Sequence, residues 1–330
     1  MSSIMTNSAA LTALQSLNAT QSNLSTTQAR ISTGYRVSQA SDNAAYWSIA
    51  TTMRSDNQAM STVSDSLGLG ASKVDTAYTG MSSAITTINS IQQKLTGSYG
   101  QTDAAKEKTQ VEIAALQAQL KGYADSATFS GTNMLSVNSG ATATTAADVK
   151  IVSAFNRSSA GAVSISTIDV NVESIKLYEA GTAATAKGIL DTARLGTTGA
   201  ATATAQNPTL GAAPAAGDTY SVASLSISTG GVAASDAQIS QMMTVVDAAL
   251  KDMTTAATKL GAAKSSIDLQ KTFTQSLMDS IDRGVGQLVD ADMNKESTRL
   301  QALQVQQQLG VQALSIANGS SQSILSLFRG

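Results

Sequence analysis

Very few residues in this chain could carry out chemistry. The best candidates are Asp290 and Asp292, two carboxylates one residue apart, a spacing that can serve a catalytic dyad or a hard cation. Either role needs company: further carboxylates, a base and a cleft. The sequence has no His and no Cys. That removes imidazole bases, thiol chemistry, disulfides and Cys/His zinc sites, and with them most hydrolase templates. Left alone, Asp290 and Asp292 read as solvated charges at a helix boundary. Hence no catalytic, cofactor-binding or metal site is expected, and no enzymatic activity. Modification chemistry is equally sparse. Asn18-Ala19-Thr20 and Asn156-Arg157-Ser158 match the N-glycosylation triplet, which is common by chance in a chain rich in Ser and Thr. The Ser and Thr residues of 136–236 offer acceptors for O-linked sugars, and nothing in their pattern selects one.

The elements that would have to position chemistry are more informative than the chemistry. At 330 residues the chain can bury a sizeable core and form two or more domains. Only 13% of residues are charged and 4% aromatic, against about a quarter charged in ordinary domains. Ala, Ser, Thr and Gln fill the gap, which suits long Ala-rich helices packed side by side. Its two prolines, Pro208 and Pro214, lie close together, so most of the chain lacks the residue that most reliably stops a helix. A net charge of −2 provides no basic field for nucleic acid. Met1-Ser-Ser-Ile-Met-Thr-Asn puts no Lys or Arg before an apolar run, and no stretch approaches about eighteen consecutive apolar residues. Neither a cleavable secretory signal nor a membrane span is therefore expected.

The two ends are unusual. Leu300 through Phe328 contains no Asp, Glu, Lys or Arg, and neither does Ser2 through Ala29. In the tail, Leu300, Leu303, Gln307, Gly310, Leu314 and Ala317 line one helical face. Ala302, Val305, Leu309, Ala313 and Ile316 line a nearly opposite one. At the start, Leu17, Leu24 and Ile31 stand seven apart, with Leu11 and Leu14 beside them. A surface helix of a monomer buries one stripe and charges the other, whereas a helix apolar on several sides must be enclosed by partners or lipid. Enclosure by lipid fits poorly, because interfacial helices carry Lys or Arg on the polar face. A purely intramolecular core is the plainer alternative for the tail leucines, but it leaves the second face unexplained.

Between the ends the chain reads as a palindrome. Thr33 to Ser38 is a hinge or linker around Gly34, and Ser41-Asp42-Asn43 supplies capping oxygens for a following helix. A heptad frame then holds through Tyr46, Ile49, Met53, Asp56, Met60, Val63, Leu67, Gly70, Val74, Ala77, Met81, Ala84, Ile88, Ile91 and Leu95, with Asp56 and Gly70 its weak positions. Gly97 to Thr102 is a loop. Asp103 opens a helix with Ile113, Leu116, Leu120 and Tyr123 inward, and Thr128 to Leu135 is a turn leading into strands. From about Ser136 to Asp236 the chain is β-rich, with alternating runs at Val163, Ile165, Val170 and Val172 and at Tyr220, Val222, Leu225 and Ile227. Gly140 to Ala147 and Gly196 to Ala216 are expected to be loops. The heptad returns at Ile239, Val246, Met253, Leu260, Ile267, Thr274, Ile281 and Leu288, with Gly284 and Gly286 interrupting it near the end. A hairpin of long helices, both termini at one end and the insertion at the other, is the economical fold.

At this point several blocks resemble a known family. Leu11-Thr12-Ala13-Leu14, Arg30-Ile31-Ser32-Thr33-Gly34-Tyr35-Arg36-Val37, Ser41-Asp42-Asn43-Ala44-Ala45 and Phe129-Ser130-Gly131-Thr132-Asn133-Met134-Leu135 stand in the first part. Leu288-Val289-Asp290-Ala291-Asp292, Gln306-Gln307-Gln308, Leu314, Ala317-Asn318 and Ile324-Leu325-Ser326-Leu327-Phe328-Arg329-Gly330 stand in the last. In this order they resemble the bacterial flagellins, and the Ala-rich, Cys-free and His-free make-up is most similar to the alphaproteobacterial kind. The resemblance implies a mainly α fold: long antiparallel helices in coiled-coil-like packing, a terminal helix pair plus a helical shell domain, with a small β-rich central insertion. It implies an inner-tube domain of 1–33 with 295–330, a shell domain of 34–135 with 237–294, and a surface-exposed variable domain of 136–236.

The function it implies is a secreted, extracellular subunit that self-assembles into the flagellar filament for swimming motility. Its partners would be further copies of itself, sister flagellins, the flagellar export apparatus, an export chaperone, and cap and junction proteins. Neither nucleic acid nor membrane insertion is implied. The expected self-assembly interface comprises Leu11, Leu14, Leu17, Leu24, Ile31, Leu300, Leu303, Val305, Leu309, Leu314, Ile316, Leu325, Leu327 and Phe328. One departure concerns Ile88 to Leu95, which lacks the arginine that a Toll-like receptor reads in many flagellins. Rival readings are a hook-filament junction protein of the same architecture and a secreted helical effector.

Overall fold

The computed structural model describes residues 7–139, 146–158, 161–181, 187–202 and 208–327, with side chains described as far as Gly319. It divides into two compact units, residues 1–58 with 277–330 and residues 59–276. Helices α1 (Ser8–Thr33), α2 (Ala44–Ser98) and α3 (Asp103–Ser126) come first, and α4 (Asp236–Val289) and α5 (Met293–Leu327) come last. Between them run short strands, the longest being β4 (Val149–Arg157) and β5 (Val163–Val170). The fold is mainly α with a β-rich central insertion.

In the unit of residues 59–276 the heptad frame is the core. Every frame position from Met60 to Leu95 is buried on α2, and every one from Ile239 to Thr274 is buried on α4. Burying a large apolar side chain contributes about 1.5 to 3 kcal/mol, so these two seams dominate the unit's stability. Asp75 pairs with Lys264, and the Tyr78 ring lies over Gly261, so rising numbers on α2 meet falling numbers on α4. The two helices are antiparallel. Helix α3 lays Ile113 and Leu120 into the same core, with Leu116 half-buried beside them, and Lys94 bonds Glu112 across to α2 at 2.5 Å. Of the two weak frame positions, Gly70 has a physical reason. Ile151 of β4 packs directly on it, and a Cβ there would overlap that side chain.

The hairpin of β1 (Thr128–Phe129) and β2 (Thr132–Asn133) turns on Ser130 and Gly131, whose φ values of 48° and 74° give the left-handed two-residue loop such hairpins favour. Strand β3 (Ser136–Val137) runs parallel to β6 (Tyr178–Glu179), and β4 pairs antiparallel with β5 through a bulge between Val152 and Ala154. Strand β7 (Ala193–Leu195) lies between β8 (Ala201–Thr202) and β9 (Thr219–Tyr220). Strands β10 (Ser228–Thr229) and β11 (Val232–Ala233) form a last hairpin near α3. The insertion also buries a cation: Lys176 Nζ, 0% exposed, lies 2.9 Å from Glu173 and 3.1 Å from Glu179.

Several local expectations change. Helix α2 runs to Ser98, which shortens the expected loop. Helix α4 passes through Gly284 and Gly286 without a break, since its other residues hold the backbone ladder. Val163 and Ile165 point outward, and the buried positions of β5 come from Val170 with Ile168 half-buried. Val222 sits in a short 3-10 turn, not a strand. Within 196–216, Ala201 and Thr202 form a strand because β7 offers a free edge. Residues 140–145 of the first low-complexity piece lie outside the described residues.

Candidate self-assembly surface

In the unit of residues 1–58 with 277–330, α1 and α5 form a pair. Helix α1 begins where the Asn7 side chain accepts from the Ala10 N–H at 3.0 Å, and it ends at Gly34. There φ is 76°, a conformation that glycine adopts without a Cβ penalty. Helix α5 begins where Asp292 Oδ1 accepts from the Asn294 and Lys295 N–H groups at 3.0 and 3.2 Å. This is an N-terminal cap, and it is where the sequence-level reading puts solvated charge. Among the described residues no cluster of acidic or other ligating side chains could hold a metal ion.

Three long-range contacts fix the sense of the pair. Asn7 Nδ2 donates to the Ala317 carbonyl at 2.9 Å, Gln307 Nε2 donates to Gln21 Oε1 at 2.8 Å, and Arg30 Nη1 donates to Glu296 Oε1 at 3.3 Å. Numbers fall on α5 as they rise on α1, so the helices are antiparallel. On α1 the inward positions are Ala10, Ala13, Leu17, Thr20, Leu24, Thr27 and Ile31. On α5 they are Glu296, Leu300, Leu303, Gln307, Gly310, Leu314 and Ala317, all buried or half-buried. Both sets step alternately by three and four, the spacing of a coiled-coil seam.

The opposite faces stay open. Val305, Leu309, Val311 and Ile316 are 55%, 58%, 54% and 73% exposed, and Leu11 and Leu14 are 59% and 43% exposed. Helix α1 avoids charge on its outer face partly by turning hydroxyls back on itself. Thr12, Thr26 and Thr33 each donate to the carbonyl four residues earlier.

Of the residues expected at the interface, then, Leu24 and Leu303 are buried within the chain. Leu17, Ile31, Leu300 and Leu314 lie half-buried along the seam, while Leu11, Leu14, Val305, Leu309 and Ile316 face outward. The Leu325 and Leu327 side chains and Phe328 lie outside the described residues. Val311, four residues after Gln307, flanks the seam row and was not anticipated. Arg30 and Glu296 were missed as well; Arg30 is the first charge after the uncharged start, and Glu296 belongs to the charged cluster just before the uncharged tail.

The hinge or linker read around Gly34 is a break in the helix whose following segment is pinned. Tyr35 bridges Asp290, the Arg36 and Val37 N–H groups donate to Val289, and the Ala291 N–H donates to Gly34. Val37, Ala50, Val285 and Val289 form a small core beneath it. Arg54 stacks 4.9 Å over the Tyr35 ring. Asp42 accepts from the Ser38 and Gln39 N–H groups, which hold its carboxyl below the usual range. Asn18 is exposed in mid-helix. Asn156 lies in β4, its amide donating to Ser166 Oγ at 3.2 Å. A cleft lined by Leu210, Tyr220, Leu225, Val232 and Met242 carries no charged side chain. No described helix is long and apolar enough to cross a membrane.

Comparison with known proteins agrees with this arrangement of helical ends around an insertion. Residues 4–140 match the bacterial flagellin N-terminal helical region, and residues 243–328 match the bacterial flagellin C-terminal helical region. The chain is 48% identical to Flagellin C of Rhizobium meliloti (strain 1021) over 336 residues, spanning 100% of both chains. It is 45% identical to a flagellin of Brucella melitensis over 330 residues and 43% identical to Flagellin A of Rhizobium meliloti over 403, again with full coverage of both. The chain belongs to the bacterial flagellin family.

Proposed function

We propose that this chain is the structural subunit of an extracellular flagellar filament used for swimming, and that the outward faces of α1 and α5 are where its copies lock together. The observation that carries the reading is the row Val305, Leu309 and Ile316, more than half exposed on a helix whose other face is already filled by α1. Water is a poor environment for such a row, and neighbouring copies would bury it. Leu17, Leu24, Ile31, Leu300, Leu303 and Leu314 then support the surface from beneath, and Leu11 and Leu14 extend it. Leu325, Leu327 and Phe328, in the charge-free sequence of the tail, are further residues of the proposed interface.

In this reading residues 1–33 with 295–330 form the inner tube, 34–135 with 237–294 a shell around it, and 136–236 the solvent-facing variable part. The work of the protein is mechanical. Small shifts between packed states of neighbouring subunits would set the supercoil. Export apparatus, export chaperone, cap and junction proteins, and sister flagellins are its further partners. Seeding the purified chain with filament fragments and viewing it by negative-stain microscopy tests the reading. Long filaments are expected, and soluble chain alone, under conditions where a control flagellin polymerises, would overturn it.

A further inference from the structure

The insertion holds a cleft that lies apart from the surfaces of α1 and α5. It measures about 390 Å³ beside Leu210, Tyr220, Ser224, Leu225, Val232 and Met242, the volume of about a dozen waters and within the usual range of small-molecule sites. Leu225 and Met242 are buried at its base, and Val232 stands exposed at its rim.

Its walls are tied to helices by amide side chains. Buried Gln238 of α4 holds the wall at Thr209 to Gly211: its Nε2 donates to the Thr209 carbonyl at 2.9 Å, and its Oε1 accepts from the Gly211 N–H at 3.1 Å. Gln117 of α3 holds a second wall, its Nε2 donating to the Val222 and Leu225 carbonyls at 2.8 and 2.9 Å. Gln110 Oε1 accepts from the Ile227 N–H at 2.7 Å beside it. Satisfied networks of this kind rigidify what they join. The cleft is thus formed before any ligand arrives.

The same bonds narrow the choice of ligand. A docking strand or peptide looks for open backbone groups, and the Thr209, Val222 and Leu225 carbonyls already accept from the helices. What the cleft offers is side chains, none of them charged. An ion would enter it without a counter-charge, at high cost. The Tyr220 phenol donates to Gln241 Oε1 at 3.0 Å, and burial, with Asp218 nearby, pushes it up to about 12, so it stays neutral. The Ser221 and Ser224 hydroxyls lie 2.8 Å apart. One gives its proton to the other, which leaves a single hydroxyl proton for a ligand.

We infer that this cleft binds an uncharged small molecule, its apolar body seated on Leu225 and Met242 and one oxygen acceptor met by the Ser221 and Ser224 hydroxyls. The inference goes beyond self-assembly and does not rest on it.

Prodan, an uncharged naphthalene ketone whose emission shifts to the blue where water is excluded, is a suitable probe. Titrated into the soluble full-length chain, it should bind saturably. Val232→Trp fills the mouth of the cleft and Ser224→Asp sets a carboxylate there. Both positions are exposed, so helix content by far-UV circular dichroism should stay that of the parent, while prodan affinity should fall about tenfold or more. Val163→Asp, exposed on β5 and outside the cleft, should leave binding unchanged. Naphthoate, a similar body carrying a negative charge, should displace prodan from the parent chain only at concentrations about tenfold or more above those of uncharged naphthyl methyl ketone. That comparison needs no variant, so it decides the matter even where a substitution disturbs folding. Absence of saturable binding, equal affinity in the parent and both cleft variants, or equal displacement by the anion and the ketone would overturn the inference. Loss of the prodan site when copies assemble would give the cleft to a neighbouring copy and overturn it as well.

Discussion

A carboxylate at Leu309 tests the division of α5 into two faces. Leu309 is 58% exposed, so neighbouring copies would remove a little over half of its surface from water, worth about 1 to 2 kcal/mol of the roughly 1.5 to 3 for full burial. Leu309→Ala should lose about that much per subunit and raise the critical concentration for growth about tenfold, at about 1.4 kcal/mol per decade. In Leu309→Asp the introduced charge must also be desolvated, which adds several kcal/mol. A total near 4 kcal/mol raises the critical concentration about a thousandfold, beyond any practical concentration. The soluble chain should not notice, because Leu309 touches solvent there. Leu314→Asp, half-buried on the seam, should instead break the α1/α5 pair and lower helix content in the soluble chain itself. Seeded growth followed by sedimentation gives the critical concentration, and far-UV circular dichroism gives the helix content. Growth of Leu309→Asp within a few-fold of the parent, or equal loss of helix in both aspartate variants, would refute the two-face argument.

Other consequences can be measured on the soluble chain. Gly70→Ala should destabilise the unit of residues 59–276 by about 1 to 3 kcal/mol in urea, because Ile151 occupies the space its methyl needs. Gly284→Ala has nothing within 4 Å and should stabilise α4 by up to about 1 kcal/mol through helix propensity. Asp292→Ala removes the cap of α5 and should cost about 1 kcal/mol, seen as faster hydrogen exchange in the first turn after Met293. Burial pushes the Glu179 carboxyl up, but the Ser139 N–H and hydroxyl, Lys176 and the Gly181 N–H together pull it below its ordinary value. A lowered carboxyl stabilises the fold above its unfolded value of about 4.3, and that contribution is lost as pH falls through the folded value. The parent should therefore lose thermal stability below about pH 4.3 more steeply than Glu179→Gln, and parallel melting profiles would contradict the assignment.

Long helices were readable because their signal is periodic and repeated. The frame from Met60 to Leu95 and from Ile239 to Thr274 is the buried seam almost position by position. So is the split of α5 into a row through Leu303, Gly310 and Ala317 and a row through Val305, Leu309 and Ile316. The strands were harder. Val163 and Ile165 stand an odd number of residues from Ile168 and Val170, so along β5 the two pairs face opposite ways, and which face is covered depends on what the strand packs against. The glycines gave opposite outcomes: Gly34 ends α1 as its position suggests, whereas α4 runs straight through Gly284. Whether a glycine breaks a chain depends on its neighbours' contacts more than on its own freedom.

The amino-acid order determined that both ends carry uncharged helical stretches, the last with two apolar rows, that long heptad helices stand next to them, and that His- and Cys-dependent chemistry is absent. These are properties of spacing and side-chain type, which any fold must respect. Only the tertiary structure decided which row is spent inside the chain and which remains open. The choice depends on a partner hundreds of residues away: Leu17 seats over Gly310, and Arg30 reaches Glu296. A heptad pattern alone admits several pairings of the same two helices, and the backbone bonds that fix one of them join Gly34–Val37 to Val289–Ala291, far apart in the sequence.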